Sequence, residues 1–158
     1  YSSSLSSDGT GAKLLCTRYP FNPNPLQDKE KMPEFDDLDT PHDNYLHMAG
    51  REVYKFATKA LPFEVTRACE RAGIKVEELS LIIPHQANVR IVETAAKNLG
   101  VSMDIMYMNL EKYGNTSSAS IPVALDEAVS EGRIKKGDKI ALVGFGGGLT
   151  SGAAVIEW

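Results

Sequence analysis

Cysteine is scarce in this sequence: Cys16 and Cys69 are the only two among 158 residues. Two thiols so far apart make no disulfide scaffold, and the expectation is a reducing cytoplasm with both side chains as ordinary thiols. Long apolar runs are missing too. None approaches the roughly 18 residues of a membrane span, and the opening YSSSLSSDGTGAK has neither the basic stretch nor the apolar core of a signal peptide. Positive charge is in deficit, with 17 Lys and Arg against 21 Asp and Glu, a net charge of −4. No basic face stands ready for a nucleic-acid partner. An initiator Met is absent: the chain starts at Tyr1 and reads as one piece of a longer polypeptide.

What is present is ordinary globular composition, enough in 158 residues to bury one core, so a single domain is expected over 1–158. Residues 2–18 read as one or two short strands about the Ser7-Asp8-Gly9 turn. Residues 19–42 are rich in Pro, Asn and charge, which fits a long surface loop of the kind used as a lid or interface arm. Val53, Phe56, Ala57 and Ala60 recur at helical spacing and predict a helix over 48–72, kinked at Pro62 and capped by Gly73. LSLIIP reads as a strand buried on both faces. A helix over 88–99 ended by Gly100, a strand at IMYMNL and an amphipathic helix over 118–132 follow. KIALVGF and SGAAVIEW close the chain as two strands across a glycine turn. The alternation predicts an α/β fold: a mostly parallel five-stranded mixed sheet with helices packed against it, ending in an antiparallel strand pair.

Three strings sit where an apolar strand ends: IIPHQANVR, YGNTSSASIP and GFGGGLTSG. Strand ends are where an α/β protein places its chemistry. His85 follows Pro84 at the end of the buried strand, and Asn115 lies about thirty residues on, in a Gly-Asn-Thr turn leading into a helix N-terminus. Singly, each residue has a plain explanation. A lone His is more often structural than catalytic, Gly114-Asn115 suits any tight turn, Asn88 suits a helix cap, and Arg90 suits a solvated helix face. Together, His85 and Asn115 offer two hydrogen-bond donors to one developing negative charge. The run Gly144-Phe145-Gly146-Gly147-Gly148 hints at a dinucleotide site. SGAAVIEW beyond it reads as a strand, however, and too few residues remain for the helix and ribose-binding acid such a site needs. A metal site from Cys16, His42 and His47 fits no common zinc spacing, so no metal is expected.

In this order and spacing the three strings resemble the C-terminal half of β-ketoacyl-acyl-carrier-protein synthase III, of the thiolase-like superfamily, whose fold sandwiches helices between the sheets of two duplicated halves. The resemblance covers nearly the whole chain. It implies an acyltransferase of fatty-acid biosynthesis, joining an acyl-CoA primer to malonyl-acyl-carrier protein by decarboxylative Claisen condensation without a cofactor. It implies that His85 and Asn115 are catalytic, binding the malonyl thioester oxygen as CO2 departs, with His85 neutral and its proton on Nε2. Gly147 matches the glycine whose N–H completes a second oxyanion hole with that of the nucleophilic cysteine, where a Cβ would block the thioester. Met48, Gly50, Arg51, Tyr54 and Asn88 match positions along the pantetheine tunnel, Arg51 standing where Asn is frequent and Tyr54 where Phe is frequent. Arg90 matches a position that docks the carrier protein and the coenzyme A phosphates.

The family's nucleophile has no counterpart. Neither Cys16 in LLCTRYP nor Cys69 in TRACERAG has the small-residue setting of the family cysteine, which belongs to the N-terminal half. Cys69, among charged neighbours, is expected to be partly exposed. The implied partners are therefore that N-terminal half, the acyl carrier protein and, for the complete enzyme, a second copy in a homodimer; neither nucleic acid nor membrane is expected. Two other readings stay open. One is a related acyltransferase such as a polyketide starter synthase, the other a catalytically silent subunit that binds carrier protein.

Overall fold

The structure, a computed structural model, describes residues 1–17 and 46–158. The loop expected over 19–42, with His42, lies outside the described residues. β1 (Ser2–Ser7) leads through a 3-10 turn, Gly9–Leu14, into β2 (Leu15–Thr17). β3 (Leu46–Met48) pairs antiparallel with β2 and sets His47 opposite Cys16. Then come α1 (Gly50–Ala72), β4 (Leu81–Pro84), α2 (Val89–Leu99), the short α3 (Leu110–Tyr113), α4 (Ser120–Ser130), β5 (Lys139–Gly146) and β6 (Thr150–Glu157).

The main sheet runs β1-β6-β5-β4. Only β4 and β5 are parallel, while β6 is antiparallel to both its neighbours. The α/β reading therefore holds, but among the described residues the sheet has four strands and is mostly antiparallel, where five mostly parallel strands were expected. Two causes account for this. The β5–β6 link is a tight turn, which forces antiparallel pairing, and β1 then adds to the far edge of β6. The segment IMYMNL does lie beside β4, yet its ladder shrinks to one parallel bridge, Ile82 with Met106. Gln86, 1 % exposed, takes over the rest. Its Nε2 donates to the carbonyls of Pro84 (2.9 Å) and Tyr107 (3.0 Å), and its Oε1 accepts from Asn109 N–H (3.1 Å). A side-chain amide satisfies backbone groups that a fifth strand would have paired.

Strand alternation splits the core in two. Ile82, Ala141, Val143, Ala153 and Val155 pack under α1 and α2, while Leu81, Ile83 and Ile140 pack under Ala124 and Ala128 of α4. α1 runs 23 residues without interruption, with Pro62 inside it, and ends at left-handed Gly73. Cys69 sits on its buried stripe one turn after Val65 and is 1 % exposed, so the expected partial exposure is wrong. Burial pushes its thiol up to about 11. Glu64, on the same stripe, is fully buried and accepts hydrogen bonds from the hydroxyls of Ser4 on β1 and Ser151 on β6.

Candidate active site

β4 and β5 bring Pro84 level with Val143. One residue further, His85 N–H still donates to the Val143 carbonyl at 2.8 Å, so the main chain fixes where this residue leaves the sheet. Two positions after Ile83, the His85 side chain emerges toward α4. Its Nδ1 lies 2.6 Å from Ser120 Oγ, and its ring stands edge-on to Phe145, with centroids 5.5 Å apart and planes at 70°. Phe56 backs Phe145 at 6.4 Å in turn. Burial holds the imidazole pKa below its ordinary value, which favours the neutral ring.

Asn115 is positioned by the turn on either side of it. Gly114 adopts φ 67°, ψ −161°, a conformation open to glycine and closed to most other residues. Ser117 takes φ 54°, left-handed for a residue with a side chain, and its N–H donates to Asn115 Oδ1 at 3.0 Å. With the amide oxygen engaged by the protein, the NH2 end of Asn115 is left to donate outward. Gly147 lies in the β5–β6 turn, with its carbonyl accepting from the Thr150 hydroxyl at 2.8 Å. A Cβ there would stand 2.9 Å from the carbonyl oxygen of Leu15 on β2. The protein's own backbone therefore requires this glycine, independently of any thioester. The same turn joins two strands directly, which removes the helix that a dinucleotide site would use.

His85, Asn115 and Gly147 line one cavity of about 760 Å3, and Met48, Gly50, Tyr54 and Asn88 stand along its wall. The Tyr54 hydroxyl is 3.1 Å from Thr94 Oγ1 and ties α1 to α2. Asn88 caps α2 by accepting from Arg90 N–H at 2.9 Å and also lines the cavity. Arg51 and Arg90 are exposed and do not line it. Sequence reasoning missed Phe145 as an aromatic neighbour of His85, and it missed Ser120. A signal for Ser120 existed: with Ala124 and Ala128 it forms the buried stripe of α4, a polar residue at an apolar spacing. Among the described residues no group of three or more His, Cys, Asp or Glu is placed to hold a metal ion, and no helix is long and apolar enough to cross a membrane.

Residues 69–158 match the model of the family described as 3-oxoacyl-[acyl-carrier-protein (ACP)] synthase III C terminal. The chain belongs to this family. A β-ketoacyl-[acyl-carrier-protein] synthase III of Clostridium novyi (strain NT) is 50% identical over 153 residues, covering 96% of this chain and 44% of that protein. Among solved structures, the synthase III of Thermus thermophilus superposes with a TM-score of 0.83 at 43% identity, over 99% of this chain and 45% of that one. That of Aquifex aeolicus VF5 gives 0.81 at 37% identity, over 99% and 44%. The chain thus spans under half the length of the synthase III proteins it matches, and its fold is the thiolase-like one they share. His85, Asn88, Arg90, Asn115 and Gly147 all fall inside the matched segment, whereas Met48, Gly50, Arg51 and Tyr54 precede it.

Proposed function

We propose that this chain is the C-terminal half of a synthase III acyltransferase of fatty-acid biosynthesis, which condenses an acyl primer delivered by coenzyme A with malonyl-acyl-carrier protein. One observation carries the reading: two side chains from different elements, His85 and Asn115, line a single cavity beside the glycine turn. The malonyl thioester oxygen accepts from His85 Nε2–H and Asn115 Nδ2–H. The bond to the carboxylate breaks, CO2 leaves, and its electron pair forms an enolate whose oxygen those donors stabilise. The enolate carbon then attacks the acyl thioester carbonyl, and the resulting oxyanion rests against Gly147 N–H until the cysteine thiolate departs. Every step uses side chains, backbone and substrates, with no cofactor.

The thiolate comes from an N-terminal half. Cys69 is sealed in the core with its pKa at about 11, and Cys16 sits on a short strand rather than at an activating helix N-terminus. Met48, Gly50, Tyr54 and Asn88 hold the pantetheine arm, and exposed Arg51 and Arg90 meet the phosphates of coenzyme A or the acidic carrier protein. The complete enzyme works in the cytoplasm as a homodimer. In that enzyme, His85→Ala and Asn115→Ala are each expected to slow malonyl decarboxylation by roughly two to three orders of magnitude while leaving cysteine acylation intact. The two half-reactions are measured separately with radiolabelled malonyl and acetyl thioesters. Equal loss in both, or loss of acylation alone, would move these residues to another role. The missing nucleophile also favours a second reading, a silent carrier-binding subunit. Decarboxylation that never rises above background when the half bearing the cysteine is present would select it.

A further inference from the structure

We propose that Ser120 is a positioning residue that locks His85 in the tautomer with its proton on Nε2. The inference rests on the donor role assigned to His85 above, and it follows from hydrogen-bond bookkeeping around one hydroxyl. Ser120 is the first residue of α4 and is 2 % exposed, so solvent cannot satisfy it. Its Oγ has two contacts among the described residues: the backbone N–H of Gln86 at 3.3 Å and Nδ1 of His85 at 2.6 Å. A backbone N–H only donates, so it occupies a lone pair of Oγ and can take nothing from the hydroxyl proton. The one acceptor left for that proton is Nδ1, which must present its own lone pair. The imidazole proton therefore sits on Nε2, the nitrogen on the far side of the ring from Ser120.

The opposite tautomer, or the imidazolium, would put a hydrogen on Nδ1 facing Oγ and strand the serine proton in a buried place without an acceptor. Ser120 thus disfavours both wrong states with one atom. Gln86 steadies the arrangement: its N–H orients the serine while its side chain, pinned to Pro84, Tyr107 and Asn109, holds that peptide against β4. A helix cap would not need this residue. Ser120 makes no side-chain bond to its own helix's N–H groups, and its hydroxyl turns toward the histidine instead.

The test reads the tautomer directly. Ring 15N chemical shifts and couplings of His85 are recorded at neutral pH in the complete enzyme, and the resonances are identified by their loss in His85→Gln. The expected result is a single neutral form protonated at Nε2 in the parent protein, and in Ser120→Ala a mixture of tautomers. In that variant malonyl decarboxylation falls about ten- to hundredfold in kcat, the scale known for outer-shell partners that orient metal-bound imidazoles, with KM and cysteine acylation unchanged. A parent His85 protonated at Nδ1, or a tautomer that Ser120→Ala leaves untouched, overturns the proposal. The underlying functional reading fails separately. If Ser120→Ala mixes the tautomers but His85→Ala spares decarboxylation, Ser120 still sets the ring and the donor role is what falls.

Discussion

A Cβ at Gly147 would lie 2.9 Å from the carbonyl oxygen of Leu15, and that neighbour is main chain rather than the yielding tip of a side chain. Gly147→Ala is therefore expected to push the β5–β6 turn away from β2 and to cost about 1–3 kcal/mol in the ligand-free protein. Thermal unfolding without substrate checks it, and an unshifted midpoint would hand the need for glycine back to the substrate alone. Glu64 poses a different question at the same scale. Burial works to raise its pKa, but the hydroxyls of Ser4, Ser6 and Ser151 and the charge of Arg67 outweigh that, and the net shift is downward. A carboxyl with a lower pKa folded than unfolded binds fewer protons in the native state. Its contribution is complete above the unfolded pKa and is lost as pH falls through the folded one. Urea titrations at neutral pH and at about pH 3.5, near the ordinary carboxyl range, should show Glu64→Gln losing less stability on acidification than the parent. An equal loss in both would mean that Glu64 contributes nothing to the acid response.

Among the elements, the segment beside β4 behaves as a strand held by one side chain. Gln86→Leu keeps the bulk but abandons the Tyr107 carbonyl and the Asn109 N–H in a buried setting, at a cost of roughly 1–3 kcal/mol for each group left unpaired. Hydrogen exchange should then quicken at Asn109 first. Unchanged protection there would show that the bridge at Met106 suffices. This segment also marks the limit of what the sequence disclosed. The helices over 50–72 and 89–99, their left-handed glycine ends, the buried strand before His85 and the closing hairpin were all legible, because apolar period and turn chemistry speak directly about local structure. IMYMNL was legible as buried and extended, but apolar content records burial and not which group fills each hydrogen bond. Strand direction was hidden for a similar reason: nothing in SSSLSS names β6 as its partner, and its serines make sense only once Glu64 is seen opposite them. Of the candidate residues, seven line one cavity: His85, Asn88, Asn115 and Gly147 from the three strings, Met48 from β3, and Gly50 and Tyr54 from the start of α1, while Arg51 and Arg90 stand outside it. The signal at Ser120, a polar residue on the buried stripe of α4, is easily passed over because a serine near a helix start has an ordinary explanation in capping.

For the whole molecule, the two faces of the sheet are unequally covered. Among the described residues, α1 spans β5, β6 and β1 on one side, whereas α4 on the other packs mainly on β4 and β5. Over β1 and β6 that second side carries Leu5, 78 % exposed and lying across Gly152. An N-terminal half is expected to close this face, so the chain alone should bind a hydrophobic dye and lose the signal when that half is added. Leu5→Glu should weaken the association without moving the His85 resonances; dye-silent behaviour of the chain alone would mean that the face needs no cover. One further consequence follows from the 2.8 Å bond between His85 N–H and the Val143 carbonyl. The height at which the imidazole leaves the sheet is a property of two main chains, not of the side chains that wall the cavity. A substitution in the exposed part of the cavity wall, at Met48 for example, therefore leaves the height of the imidazole above the sheet unchanged. What the cavity admits and where the imidazole stands are thus set by different parts of the chain, the first by side chains and the second by the pitch of a parallel strand pair.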